Sequence, residues 1–274
     1  MKKSLLCTAL IAVFSCCTLA AQEAPKAATP NAPATAAPKA KKAPAKKKKV
    51  VKKRTLEEDI ATATTPVQHT YHAARHEAKK AYAAANKDKI KILMLGDSIT
   101  HQWEYPPAAK AQEKYLTPYG ILNLGCGGDR TQHTVWIVEK SGIPELIKPQ
   151  LVTLMIGTNN SGRNDYRATV AGIKRILDGV RKHYPEAKIL LYAIFPRGKN
   201  AKFPRRVENE KVNAEIAKFC DGENIIWVDI NKDFLTPEGI LTNEMMPDLL
   251  HPRNEKGYSV WGESLKPYFE KYGK

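Results

Sequence analysis

Five short apolar runs, Ile90–Leu95, Ile121–Leu124, Leu151–Ile156, Ile189–Ile194 and Ile225–Val228, alternate along this chain with longer stretches of helical pattern. The runs are continuous rather than alternating apolar with polar, as strands buried on both faces are. Between Tyr166 and Tyr184, Val170, Ile173, Ile176, Leu177 and Val180 recur at helical spacing, and comparable stretches cover Arg205–Phe219 and Glu255–Tyr272. Strands joined by helices pair in parallel, with the helices laid on both faces. The expectation is therefore an α/β protein, three layers deep (α/β/α), with a central parallel sheet of about five strands. Ahead of it, the Ala-, Lys- and His-rich residues 55–87 form a leading helical segment, with a helix expected near Val67–Ala85.

In such sheets the functional side chains gather at the carboxyl ends of the strands. The first run ends in Gly96-Asp97-Ser98, where a glycine lets the chain turn sharply and a serine projects its hydroxyl from the sheet edge. Alone, the triplet reads equally well as a turn with a helix N-cap. The second run ends in Gly125-Cys126-Gly127-Gly128-Asp129, whose backbone N–H groups are free to face an oxyanion. A plain glycine loop or a phosphate cradle are the rivals, and the absence of a following Gly-Lys-Ser/Thr disfavours the second. The third run ends in Gly157-Thr158-Asn159-Asn160, placing an amide donor, or a left-handed turn residue, at the same edge.

A hydroxyl nucleophile needs a base and the base an orienting acid. Asp248-Leu249-Leu250-His251, bounded by Pro247 and Pro252 just before the last helical stretch, offers both. His69, His72 and His76 lie at i, i+3 and i+7 in the leading segment, where a solvated face is expected over a metal site for want of Cys or carboxylate partners. No metal and no cofactor are expected.

These four blocks, in this order, resemble the GDSL or SGNH hydrolases, whose serine, glycine, asparagine and histidine blocks match Ser98, Gly128, Asn159 and His251. Asn123–His133, Gly157–Asn160 and the Pro196-Arg197-Gly198 turn are most similar to the branch that holds the intracellular platelet-activating-factor acetylhydrolase catalytic subunits. The resemblance covers about residues 88–272 and implies a flavodoxin-like SGNH hydrolase domain over 88–274. It implies Ser98 as nucleophile, His251 as base and acid, and Asp248 as its orienting group. The implied oxyanion hole is the Ser98 and Gly128 N–H groups with the Asn159 amide, and the likeness to those subunits leaves a dimer open, although the sequence itself gives no oligomeric state. Ile99 departs from the usual leucine. Asp97 is expected to support the turn, Trp103 to be the best of four tryptophans for a pocket rim, and Cys126 to lie where oxidation would inhibit.

The chain carries 44 Lys and Arg against 28 Asp and Glu. Residues 1–54 hold 13 of those basic residues against the single acid Glu23, so the remaining 220 have a surplus of only four. That body shows no basic stripe with interleaved aromatics, and nucleic-acid binding is not expected. Lys2 and Lys3, the apolar Leu5–Phe14 and the small residues around Ala20 lay out a secretory signal over 1–21. Val13-Phe14-Ser15-Cys16, a weak lipobox, keeps a lipid-anchored form open. Residues 22–54, almost all Ala, Pro and Lys, are expected to be a disordered tether, either a solvated spacer or an adhesive for an anionic polymer or envelope surface. Neither spacing nor the expected elements bring Cys126 and Cys220 together.

The expected reaction is hydrolysis of short-chain, acetyl esters through an acyl-serine, with no long apolar insertion to grip a fatty tail. For an exported enzyme the expected substrates are O-acetylated glycans. The alternatives are a lysophospholipase or platelet-activating-factor acetylhydrolase-like lipid esterase, and a non-catalytic adhesin.

Overall fold

The computed structural model describes residues 54–273. The signal, the lipobox and the tether up to Lys53 lie outside them. Five parallel strands, β1 (Ile92–Gly96), β2 (Ile121–Asn123), β3 (Leu151–Met155), β4 (Lys188–Tyr192) and β5 (Ile225–Val228), form one sheet in the order β2-β1-β3-β4-β5. The order reverses at β1, which is where a doubly wound sheet opens a crevice at its carboxyl edge. β4 stops two residues short of the apolar run because Asn213 takes both backbone groups of Ile194, accepting from its N–H (2.8 Å) and donating to its carbonyl (3.0 Å).

The strands are buried on both sides, so successive residues feed opposite cores. Leu93, Leu95, Val152, Leu154, Ile189 and Leu191 pack under α5 (Thr131–Lys140), α6 (Tyr166–His183) and α7 (Pro204–Ile216). Ile92, Met94, Leu151, Met155, Leu190 and Tyr192 face α4 (Ala109–Tyr115) and α8 (Glu255–Tyr272). The second core holds Trp103, Tyr258 and Trp261, all fully buried, with the Trp103 and Tyr258 rings 4.5 Å apart. Trp103 is therefore a core residue and not a pocket rim. Its position one turn after Ser98 turns it toward α8 instead of outward.

The leading segment contains two helices rather than one. α1 (Leu56–Thr64) starts at a capping box in which the Thr55 hydroxyl accepts from Glu58 N (3.2 Å) and the Glu58 carboxylate accepts from Thr55 N (2.8 Å). It lies against α6 and α5, where the Thr131 hydroxyl donates to Ala63 O at 2.8 Å. A single turn at Thr70–His72 then leads into α2 (Ala73–Asn86), so the expected helix near Val67 begins six residues later. Among the described residues no helix is long and apolar enough to cross a membrane.

Candidate active site

β1 delivers the chain to Gly96 at the carboxyl edge. A Cβ there would stand 2.0 Å from the Thr100 hydroxyl, so only glycine lets α3 (Ser98–His101) fold back this tightly. Asp97 caps α3, its carboxylate accepting from Ile99 N at 3.0 Å. The carboxyl is wholly buried, with one oxygen unpartnered among the described residues, and burial pushes its pKa up to about 7. Asp97 thus caps the start of α3, while Ser98 beside it stays half-buried.

The structure brings Ser98, His251 and Asp248 together. Ser98 Oγ lies 2.8 Å from His251 Nε2, and His251 Nδ1 lies 2.6 Å from Asp248 Oδ2. The other Asp248 oxygen accepts from Leu250 N (3.1 Å) and His251 N (2.8 Å). Three donors can converge on one carboxylate because Leu249 between them takes a left-handed conformation, φ 55°. Such a conformation costs a non-glycine residue about 1–3 kcal/mol, and Gly198 N holds it by donating to Leu249 O at 2.8 Å. Against the burial that would raise it, these hydrogen bonds hold the Asp248 carboxyl below its ordinary value. His251 is also held below its ordinary value, first by burial and then by Arg253 and Arg197, with Asp248 opposing them.

Gly128, after β2, has φ +78°, and Asn159, after β3, lines the same cavity. The Asn159 amide donates to Asp129 O at 2.9 Å, tying the two strand ends together. The Ser98 and Gly128 N–H groups have no protein acceptor among the described residues. Cys126 is fully buried beside the loop, 3.4 Å from His76 Nε2, and burial pushes its thiol up to about 12. It is a packed, unreactive group, not an exposed oxidation point. Cys126 and Cys220 are both free thiols.

The leading histidines are not a solvated face. His76 is buried, its ring 5.0 Å from that of Trp136. His72 Nε2 donates to Gly127 O at 2.7 Å, Arg75 donates to Gly125 O (3.0 Å) and Asn123 O (3.2 Å), and His69 Nδ1 lies 2.7 Å from Asp129 Oδ1. Three side chains of the leading segment, His69, His72 and Arg75, therefore fasten the glycine loop, a role the sequence reading misses. The carboxyl of Asp129 is buried between His69 and His133, and one signal for it is readable, the i, i+4 spacing of Asp129 and His133. These three residues place one ligand atom each within 4.8 Å of one another. His133 Nδ1, however, accepts from Arg130 N at 3.1 Å, which occupies the lone pair a metal needs.

A hydroxyl–imidazole–carboxylate relay on this edge of an α/β/α sheet places the protein among the acyl hydrolases. Comparison with known proteins narrows the class. The model of the GDSL-like Lipase/Acylhydrolase family matches residues 94–260, and the chain belongs to that family of carboxylic ester hydrolases. Platelet-activating factor acetylhydrolase IB subunit alpha1 of Pongo abelii is 32% identical over 201 residues, covering 71% of this chain and 83% of that protein. A GDSL-like lipase from Bacteroides thetaiotaomicron superposes with a TM-score of 0.58 at 20% identity, over 72% of this chain and 98% of its own. An acetylxylan esterase from Geobacillus stearothermophilus gives 0.51 at 18% identity, over 66% of this chain and 93% of its own. At such identities the two structures bear on fold alone.

Proposed function

We propose that this GDSL esterase is exported and removes acetyl groups from O-acetylated carbohydrates, with Ser98 as nucleophile, His251 as base and acid, and Asp248 orienting His251. The observation that carries the reading is the unbroken path from Ser98 to His251 to Asp248, closed at 2.8 and 2.6 Å. Neutral His251 takes the Ser98 proton as Oγ attacks the ester carbonyl. The oxyanion is met by the Ser98 and Gly128 N–H groups and the Asn159 amide. The imidazolium returns its proton to the departing sugar hydroxyl, leaving acetyl-Ser98. Water, losing its proton to His251, then attacks that ester and releases acetate with Ser98 restored.

A short acyl group fits because the apolar residues after Ser98, Ile99 and Trp103, are spent on the core. The cavity of about 480 Å³ lined by Pro149, Tyr184, Pro185, Ala187 and Tyr272 opens at the amino ends of β3 and β4, the edge opposite Ser98. Export rests on the layout of residues 1–21, with lipid attachment at Cys16 as its variant form, and the Lys-rich stretch is read as the contact for an anionic envelope polymer. The similarity to platelet-activating factor acetylhydrolase subunits favours a second reading, an acetylated phospholipid as the ester.

One panel separates them: acetate release from acetylated xylan, sialoglycans, muropeptides and a 2-acetyl phospholipid, with Ser98→Ala as the control. Release from any glycan, lost in the variant, supports the first reading. Cleavage of the lipid alone rejects it in favour of the second.

A further inference from the structure

A cavity of about 400 Å³ opens beside the glycine loop, and Gly128 and Asn159 form one of its walls. Arg130, Arg163 and Arg205 form much of the rest, and no carboxylate lines it. The ion pairs that arginines make with carboxylates among the described residues, within 4.0 Å, involve Arg54, Arg75, Arg167, Arg175, Arg206 and Arg253 but none of these three. Gathering three guanidinium groups in a lining that holds no carboxylate costs Coulomb energy that an anionic guest would recover. Arg130 shows the strain, held below its ordinary value by burial and by the nearby Arg163 and Arg54, with the buried Asp129 opposing them.

The third kind of wall is aromatic. Tyr71 is 86% exposed, far more than a side chain of its size usually leaves to water, and its ring stands edge-on to His72 with centroids 5.0 Å apart. An exposed ring beside polar groups suits the apolar face of a sugar. The other lining residues are polar, charged or glycine, so a hydrocarbon tail placed here would gain no cover from water. Tyr71 precedes the family-matched residues 94–260, so this wall is a property of this chain's own leading segment.

We propose that the cavity holds a carboxylate carried by the sugar whose acetyl ester enters the oxyanion hole, making acetylated sugar acids the preferred substrates over neutral glycans. The planar forks of arginine match a carboxylate in two-point contact, which also fixes the ring relative to the Ser98 hydroxyl. The inference rests on the carbohydrate esterase reading and narrows it.

The test is a matched pair, mono-O-acetyl glucuronic acid and its methyl ester, which differ in the charge and one methyl group, assayed with the full chain by acetate release. Wild-type kcat/KM is expected to favour the acid by about tenfold or more at low salt, and the preference shrinks as salt is raised. In Arg163→Gln/Arg205→Gln the acid-to-ester ratio is expected to fall toward one. A wild-type ratio near one, with p-nitrophenyl acetate still hydrolysed, overturns the inference and leaves the esterase reading standing. Turnover of no ester, together with failure of a fluorophosphonate to label Ser98, removes both. A 2-acetyl phospholipid cleaved in preference to both sugars also overturns it.

Discussion

The Tyr258 hydroxyl donates to Ile99 O at 2.8 Å, joining the helix that follows His251 to the turn that carries Ser98. Ser98 and His251 are 153 residues apart in the chain and 2.8 Å apart in space. Their register depends on how α8 docks against α3. The docking is buried: Tyr258 packs on Trp103 and Trp261 with no exposure of its own. This single bond ties the two ends of the relay through the core beneath it.

Replacing Tyr258 with Phe keeps the ring packing but leaves Ile99 O unpaired in the interior. The expected cost is about 1–3 kcal/mol of stability. Because a small misplacement of reacting groups is penalised steeply, kcat is expected to fall roughly tenfold with KM little changed. An unchanged kcat alongside a lowered melting temperature refutes the positioning role and leaves only a packing one.

Asn159→Ala removes the proposed oxyanion donor and one partly exposed bond to Asp129 O. Turnover of p-nitrophenyl acetate is expected to drop by a factor of ~100 or more. Stability should change by only about 1 kcal/mol, so circular dichroism and melting should look nearly native. Wild-type turnover in this variant would be fatal to the oxyanion assignment.

The proposed mechanism needs neutral His251, so kcat/KM is expected to fall on the acid side as the ring takes up a proton. Burial, Arg253 and Arg197 hold that ionisation below the ordinary 6.5, and activity should persist below pH 6.5. Arg253 Nη1 lies 3.7 Å from Asp248 Oδ2, inside the field of the relay. Removing its charge in Arg253→Gln eases protonation of His251, so the acid limb moves to higher pH. A limb that stays in place or moves lower contradicts the electrostatic role given to Arg253.

Asp97 makes stability fall with rising pH. Its carboxyl ionises near 3.8 in an unfolded chain and at about 7 when buried, so between those values the native state holds a proton that the unfolded state has lost. The resulting stabilisation is complete below the lower value and is lost as pH climbs through the upper one. Asp97→Asn keeps an oxygen for Ile99 N and removes the titration. Its melting temperature should exceed that of the wild type by a few degrees at pH 8, with the difference vanishing near pH 4. Equal slopes of melting temperature against pH in both proteins would show that Asp97 does not titrate in this range.

The sheet and the relay are legible in sequence for the same reason. Strands buried on both faces are continuous apolar runs, and the residues just past their carboxyl ends are set by chain geometry, not by distant contacts. Ser98, Gly128 and Asn159 could therefore be found where the runs stop, and His251 by the aspartate three residues before it in a proline-bounded loop. Trp103 and the leading histidines could not. Trp103 looks like a residue beside the nucleophile until α8, 150 residues later, covers it. His69, His72 and Arg75 have helical spacing but spend their polar atoms on a loop some 50 residues away, and no local pattern encodes that partner. The arginine cavity was hidden likewise, since Arg130, Arg163 and Arg205 come from three separate connections of the sheet.

That leading segment gives the sharpest contrast between two truncations. Residues 52–274 form one compact unit, so a chain lacking residues 1–51 should hydrolyse p-nitrophenyl acetate at the wild-type rate, while losing any retention on an anionic resin that the Lys-rich stretch confers. Removing residues 1–87 instead strips α1 from α6 and frees the carbonyls of Asn123, Gly125 and Gly127 from their donors. The glycine loop then loses the contacts that aim Gly128, and activity should disappear. Should that shorter chain prove insoluble, His72→Ala/Arg75→Ala asks the same question in the whole protein. Leaving buried acceptors unpaired costs about 1–3 kcal/mol each, so a melting temperature lower by roughly 5–10 °C is expected, with kcat reduced more than KM is raised. Full activity in the double variant would mean that the loop holds its shape unaided and that the leading segment serves only the substrate side of the cavity.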